Sequence, residues 1–181
     1  MKKLILLTVT AAMIMMMSSL AMAQAGNTAS GTLTVTATVN SSINLVFNSD
    51  AAGVALSSGA GTNNATLAFG NVSAFGAVGA GITRTVVAGT SFTVSTPVDV
   101  LVSKANSSSA NYTLKAQLGS ADAVNTWQVA GNTITNASAT TITATGTYGS
   151  NAAEAIAITV PFTTASGTNI SNTINFTATS N

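Results

Sequence analysis

The most constraining feature of this chain is an alternation of apolar residues with threonine. In the clearest case, residues 32–39, four threonines alternate with Leu33, Val35, Ala37 and Val39. A period of two places the apolar side chains on one side of an extended strand, and β-branched residues favour strands. No segment beyond the first two dozen residues repeats apolar positions at helical spacing over three turns. The chain is therefore predicted to be all-β.

Comparable short segments follow, each bounded by Gly, Asn, Ser or Pro. They are residues 43–47, 83–87, 90–95, 98–102, 112–118, 127–129, 133–135, 141–148, 156–162 and 174–178. Short strands without helices between them predict an antiparallel, Ig-like β-sandwich. A parallel β-helix is the competing architecture, but it needs repeats at a fixed spacing, and the sequence has none.

Two pairs of neighbouring segments predict β-hairpins. Residues 98–102 and 112–118 can pair so that Asp99 lies opposite Lys115 on the exposed face. Such a cross-strand ion pair fixes register and needs no catalytic explanation. Residues 127–129 and 133–135 predict a second hairpin, joined by a tight Ala130-Gly131-Asn132 connection.

The N-terminus has the order of a secretory signal peptide. Lys2 and Lys3 precede an apolar run, and Ala21-Met22-Ala23 supplies a cleavage site before Gln24. The apolar run is shorter than the roughly 20 residues that span a bilayer. We therefore expect residues 1–23 to be removed and residues 24–181 to form one β-sandwich domain. The domain is expected to pass through the periplasm to the cell surface or medium, without membrane attachment.

Residues that perform chemistry are nearly absent. The chain has no His and no Cys, and only nine charged residues, of which Lys2 and Lys3 leave with the signal peptide. Catalysis needs a tuned acid or base, or a nucleophile beside its base, and no such set is present. The four scattered carboxylates predict no metal site, and no basic patch suits nucleic acid. We expect a protein that is not an enzyme and holds no cofactor.

The C-terminal residues 167–179 resemble the end of chaperone–usher pilins and of spore-coat-U-like secreted proteins. These families close with a glycine and a strand of alternating apolar positions, matched here by Gly167, Ile170, Ile174, Phe176 and Ala178. Residues 66–72, with Leu67 and Phe69-Gly70, also look like a short strand of such proteins. The chain lacks the cysteine pair frequent in these families and ends in Thr179-Ser180-Asn181 rather than in the usual aromatic position.

The resemblance implies an exported structural subunit of a fimbrium or coat, with a role in cell adhesion. In the pilin families, an incomplete sandwich is completed by a strand from a neighbour. The candidate assembly residues are Leu33, Val35, Ala37 and Val39 in the donor segment, with Ile170, Ile174, Phe176 and Ala178 at the C-terminus. Expected partners are further copies or related subunits, a periplasmic chaperone and an usher. The alternative is that residues 32–39 form the domain's own first strand, and the short polar tail before them favours this alternative.

Two alternatives from other classes fit parts of the sequence. A carbohydrate-binding or adhesin module would use an aromatic platform, for which Trp127 beside Asp122 and Asn125 is the candidate. An ice-binding protein would use ladders of outward threonines, as in residues 32–38 or 141–147. Burial of a large aromatic in the core and the ordinary preference of threonine for strands explain both features more simply.

Overall fold

The computed structural model describes residues 29–181, so the predicted signal peptide lies outside the described residues. Within this range the chain forms nine β-strands and no helix, and every strand pairing is antiparallel. The strands are β1 (Ser42–Ser49), β2 (Thr83–Val87), β3 (Ser91–Ala105), β4 (Asn111–Leu118), β5 (Thr126–Val129), β6 (Asn132–Ile134), β7 (Thr140–Thr147), β8 (Asn151–Pro161) and β9 (Ile174–Ser180). The prediction of an all-β sandwich is confirmed. Residues 29–181 contain no helix suited to crossing a membrane.

The strands form two sheets. The larger sheet has the order β1-β3-β8-β5-β6, with β2 also paired to β3, and the smaller sheet has the order β7-β4-β9. Strand β3 is long enough to pair with two neighbours on one side, with β2 up to Ser95 and with β1 from Val98 onward. Pro97 lies between these two ladders, where a residue without an N–H donor is tolerated.

Alternating side chains of both sheets fill the space between them. In β3 and β4 every second residue is buried over most of the strand. A larger core cluster forms around Trp127, and a smaller one contains Val100, Val102, Tyr112 and Leu114. Stability therefore comes from apolar packing and backbone pairing, since residues 29–181 contain no cysteine for a disulfide.

Of the two predicted hairpins, one is confirmed. Strands β5 and β6 pair through a turn in which Ala130 and Gly131 both have positive φ, at 48° and 77°, as a two-residue type I′ hairpin requires. The pairing of Asp99 with Lys115 is wrong, because β3 and β4 belong to different sheets. The chain crosses between the sheets after Ala105, so the apolar residues of β3 and β4 face one another across the core.

The expectation that residues 32–39 form the domain's own first strand is also wrong. The first strand begins at Ser42, and residues 29–41 form no strand. The chain divides into two units between Thr38 and Val39, and the sandwich belongs to the second unit. Side chains of Leu33, Val35 and Val39 are 88%, 80% and 73% exposed. Alternation gives this segment one apolar side, but a strand forms only when a partner supplies backbone bonds and an apolar surface.

Candidate functional site: the open edge between β1 and β9

Strand β9 lies at a free edge of the smaller sheet. It pairs with β4 in an unbroken register from Leu118 opposite Ile174 to Tyr112 opposite Ser180. None of the nine described strands pairs with its other edge. Its odd-numbered residues are exposed, whereas Ile174, Phe176 and Ala178 point inward but are only half-buried. The edge therefore offers unpaired backbone groups beside an incompletely covered apolar surface.

Strand β1 forms the facing edge of the larger sheet. It pairs with β3 from Ser42 opposite Ala105 to Ser49 opposite Val98. Ile43, Leu45 and Phe47 alternate along it and are half-buried. Leu45 and Phe47 pack against the smaller core cluster, as do Phe176 and Ala178 of β9.

The two edges meet at a pair of aromatic rings. The centroids of Phe47 and Phe176 are 5.3 Å apart with an edge-to-face angle of 66°. This geometry is favourable for aromatic pairs. Beneath the rings, Val100, Val102 and Leu114 are fully buried. We call the surface formed by the inward residues of β1 and β9 the open edge. Along this edge the inward side chains of both strands are only half-buried.

The structure brings the predicted C-terminal assembly residues together at this edge. Ile174, Phe176 and Ala178 lie in β9, and Ile170 precedes the strand and packs half-buried against the larger core cluster. The predicted donor residues Leu33, Val35, Ala37 and Val39 all lie in the exposed segment of residues 29–41, which forms no strand.

Trp127 is buried in the larger core cluster at 5% exposure. Its indole Nε1–H donates a hydrogen bond of 2.8 Å to Oδ2 of Asp122. With its ring in the core, Trp127 has no exposed face for a sugar, and the carbohydrate-binding alternative loses its main support.

Asp122 organises the loop before β5. Its Oδ1 accepts backbone hydrogen bonds from Val124 and Asn125 at 3.0 and 2.8 Å. Partial burial acts to raise the pKa of this carboxyl, but the hydrogen bonds from Asn125 and Trp127 outweigh burial and lower the pKa to about 2. All these partners are structural, so the carboxylate holds the loop rather than a ligand.

The threonine ladders do not form a regular flat array. Residues 32–38 form no strand. The ladder between β7 and β4 shifts register on both sides of Leu114. An ice lattice requires evenly spaced ranks on an untwisted surface, and such shifts interrupt that spacing.

Sequence reasoning missed two features. Glu154 lies in β8 at 5% exposure, where its Oε1 accepts a hydrogen bond of 3.1 Å from the Thr143 hydroxyl. Burial raises the pKa of Glu154, and the bond from Thr143 offsets only part of that rise. The second feature is a backbone contact between Phe47 and a glycine-rich loop, which no local sequence pattern signals. No three Asp, Glu, His or Cys side chains in the described range lie together as a metal-binding group.

Comparison of the chain with family models, curated proteins and solved structures found no match.

Proposed function

We propose that the protein is an exported structural subunit of a surface fibre or coat that associates with copies of itself by strand addition. Residues 32–39 of one copy fill the open edge of the next, beside β9. The observation that carries the proposal is the open edge itself, where free backbone groups lie next to half-exposed Phe47 and Phe176. Strand addition uses backbone bonds for affinity and alternate pockets for register.

The donor segment matches what the open edge lacks. Its four apolar residues are spaced by two, as are Ile174, Phe176 and Ala178 in β9. Its threonines would continue the polar outer face that Thr177 and Thr179 begin. Removing a valine or leucine side chain from water contributes roughly 1.5–3 kcal/mol, and Leu33, Val35 and Val39 begin almost fully exposed.

Register places the start of β1 and the end of β9 at the same end of the sandwich. Ser42 pairs with Ala105, and Ser180 pairs with Tyr112. Ala105 and Tyr112 flank the short crossover between β3 and β4. Strand β1 starts at this end of the sandwich and β9 finishes at it. The two strands therefore run in opposite directions along the open edge.

This arrangement favours addition between copies over closure within one. For residues 32–39 to lie antiparallel to their own β9, the chain would have to return along the full length of β1, about 23 Å for its eight residues. Only Asn40 and Ser41 separate Val39 from β1, and three Cα–Cα steps reach at most about 11 Å. If residues 32–39 instead lay parallel to their own β9, the same two residues would have to reverse the chain direction. They would also have to cross about 10 Å from the smaller sheet to the larger one.

Export and its partners belong to the same proposal. The signal-peptide pattern of residues 1–23 directs the chain to the periplasm and then to the cell surface. A subunit with an uncovered apolar edge aggregates unless the edge is protected before assembly. A periplasmic chaperone and an usher are the partners that would supply this protection.

The test compares two charge substitutions on opposite sides of the donor segment. Val35→Glu places a carboxylate on the apolar side, and Thr34→Glu places the same charge on the polar side. Exported protein is analysed by gel electrophoresis with and without boiling, and by negative-stain microscopy. We expect a heat-sensitive ladder and thin fibres for the wild type and Thr34→Glu, and monomer for Val35→Glu. Monomeric wild type at all concentrations, or equal ladders from both variants, would refute the proposal.

A further inference from the structure

The open edge is partly covered by a short glycine-rich loop, residues 57–66, which we call the strap. The strap folds as a small hairpin, with Ser57 N–H donating to Thr66 O at 2.8 Å and Thr66 N–H donating to Ser58 O at 3.0 Å. It contains no side chain larger than Asn or Thr. Its conformation depends on Gly59 and Gly61, which have φ of 75° and 78°.

The strap binds β1 at one residue. Phe47 N–H donates to Thr62 O at 2.9 Å, and Gly61 N–H donates to Phe47 O at 2.7 Å. In a strand, alternate residues direct their backbone groups to opposite edges. Ile43 and Leu45 share the edge that Phe47 uses, and no described residue outside β1 forms a backbone bond with either of them.

The strap therefore occupies one of the three inward-facing positions of β1 that an added strand would use. It lies at the position of the Phe47–Phe176 contact, the last of the three inward positions along β1. Its attachment to β1 consists of two backbone bonds and no large apolar side chain. Segments held in this way open at a small fraction of the free energy of global unfolding.

We propose that the strap is a gate on strand addition: it closes the Phe47 position in the free subunit and is displaced when a donor strand enters. The inference rests on the proposed function and adds a regulatory step to it. The strap satisfies the backbone of Phe47 while the subunit waits for a partner. Its release allows the donor strand, which pairs with β9 along one edge, to bond the backbone of Phe47 with its other edge.

Two matched glycine substitutions test the gate. Gly61→Ala and Gly89→Ala each place an alanine at positive φ, 78° and 74°, and a Cβ at either position meets no atom within 4 Å. Both changes introduce the same kind of backbone strain, but only Gly61 contacts β1. Strain of this size corresponds to about a 5-fold shift in an opening equilibrium. We expect Gly61→Ala to accelerate ladder formation by about 5-fold and Gly89→Ala to leave the rate unchanged.

Amide hydrogen exchange of the wild type gives an independent readout. On assembly, the Gly61 amide should lose protection at least about 10-fold, since its acceptor is taken by the incoming strand, while the Phe47 amide stays protected. Equal assembly rates for the two variants, or a Gly61 amide equally protected in monomer and polymer, would overturn the gate and leave strand addition intact. Absence of any ladder in the wild type would overturn both.

Discussion

Replacement of Glu154 by glutamine should stabilise the protein at neutral pH. Glu154 is 5% exposed, and its one side-chain hydrogen bond comes from the Thr143 hydroxyl. Burial raises its pKa above 4.5, and its charge in turn is the second cause, after burial, that raises the pKa of Tyr112. The folded state therefore favours the neutral carboxyl.

The sign of the pH dependence follows from this preference. Because the pKa of Glu154 is higher in the folded state than in the unfolded chain, its contribution to folding stability is greatest below the unfolded pKa of about 4.5. That contribution is lost as the pH rises through the folded-state pKa. At pH 7 the folded protein must therefore either confine a charged Glu154 or bind a proton that the unfolded chain does not hold, and both cost stability. Glutamine removes the charge and keeps an oxygen for the Thr143 hydroxyl.

The magnitude results from two opposing effects. Confining a carboxylate costs several kcal/mol in proteins, and a hydrogen bond to a charged acceptor recovers about 1.5–3 kcal/mol. A neutral hydrogen bond contributes about 0.5–1.5 kcal/mol. The expected net gain for Glu154→Gln at pH 7 is about 1–3 kcal/mol, or roughly 3–10 °C for a domain of this size.

The assay is urea unfolding at pH 7 and pH 4, with Val35→Glu present in both proteins so that assembly does not contribute. We expect the full gain at pH 7 and a gain of less than about 0.5 kcal/mol at pH 4, where the carboxyl of Glu154 is protonated in both states. A destabilised Glu154→Gln at pH 7, or the same gain at both pH values, would refute the reasoning.

Two further substitutions test the packing and the loop before β5. Asp122→Asn should destabilise the protein by about 1–2 kcal/mol at pH 7, because the lowered pKa of about 2 shows that the folded state favours the Asp122 carboxylate. This stability is present above pH 3.8 and is lost as the pH falls toward 2. Urea unfolding at pH 7 and pH 2 checks this, and an unchanged midpoint at pH 7 would contradict it. Gly146→Ala should lower the unfolding free energy by about 1–3 kcal/mol, since a Cβ there would collide with the Tyr112 ring. Gly31→Ala, where the space is open and φ is not positive, is the control in thermal unfolding, and equal losses would contradict the packing argument.

Periodicity predicted the strands better than their pairing. It located β1, β8 and β9 because one side of each strand faces the core. It paired β3 with β4 incorrectly, since alternation is the same whether two strands lie side by side in one sheet or face each other across the core. The β5–β6 hairpin was predictable because Ala130-Gly131 is a local turn signal.

The candidate site was predictable only in part. The apolar positions of β9 were evident in the sequence, but the open edge depends on which strand lies beside which, a long-range property. The strap has no large apolar residues, so its contact with Phe47 leaves no trace in periodicity. Glu154 was unexpected because a carboxylate at an inward position of a strand contradicts the ordinary alternation.

The central claim is that residues 32–39 of one copy pair with β9 of another, and the absence of cysteine from the chain allows a direct test. A protein with Thr36→Cys is mixed with one carrying Thr177→Cys or Thr179→Cys, and mild oxidation is followed by boiling and electrophoresis without reductant. Cysteines bridge only when their Cα atoms lie within about 7 Å, so Thr113→Cys, one strand further in, is the control. The account predicts a disulfide-linked dimer when Thr36→Cys is mixed with Thr177→Cys or Thr179→Cys, and no dimer when it is mixed with Thr113→Cys. No bridge to β9, or a bridge formed within a single chain that carries both cysteines, would contradict it.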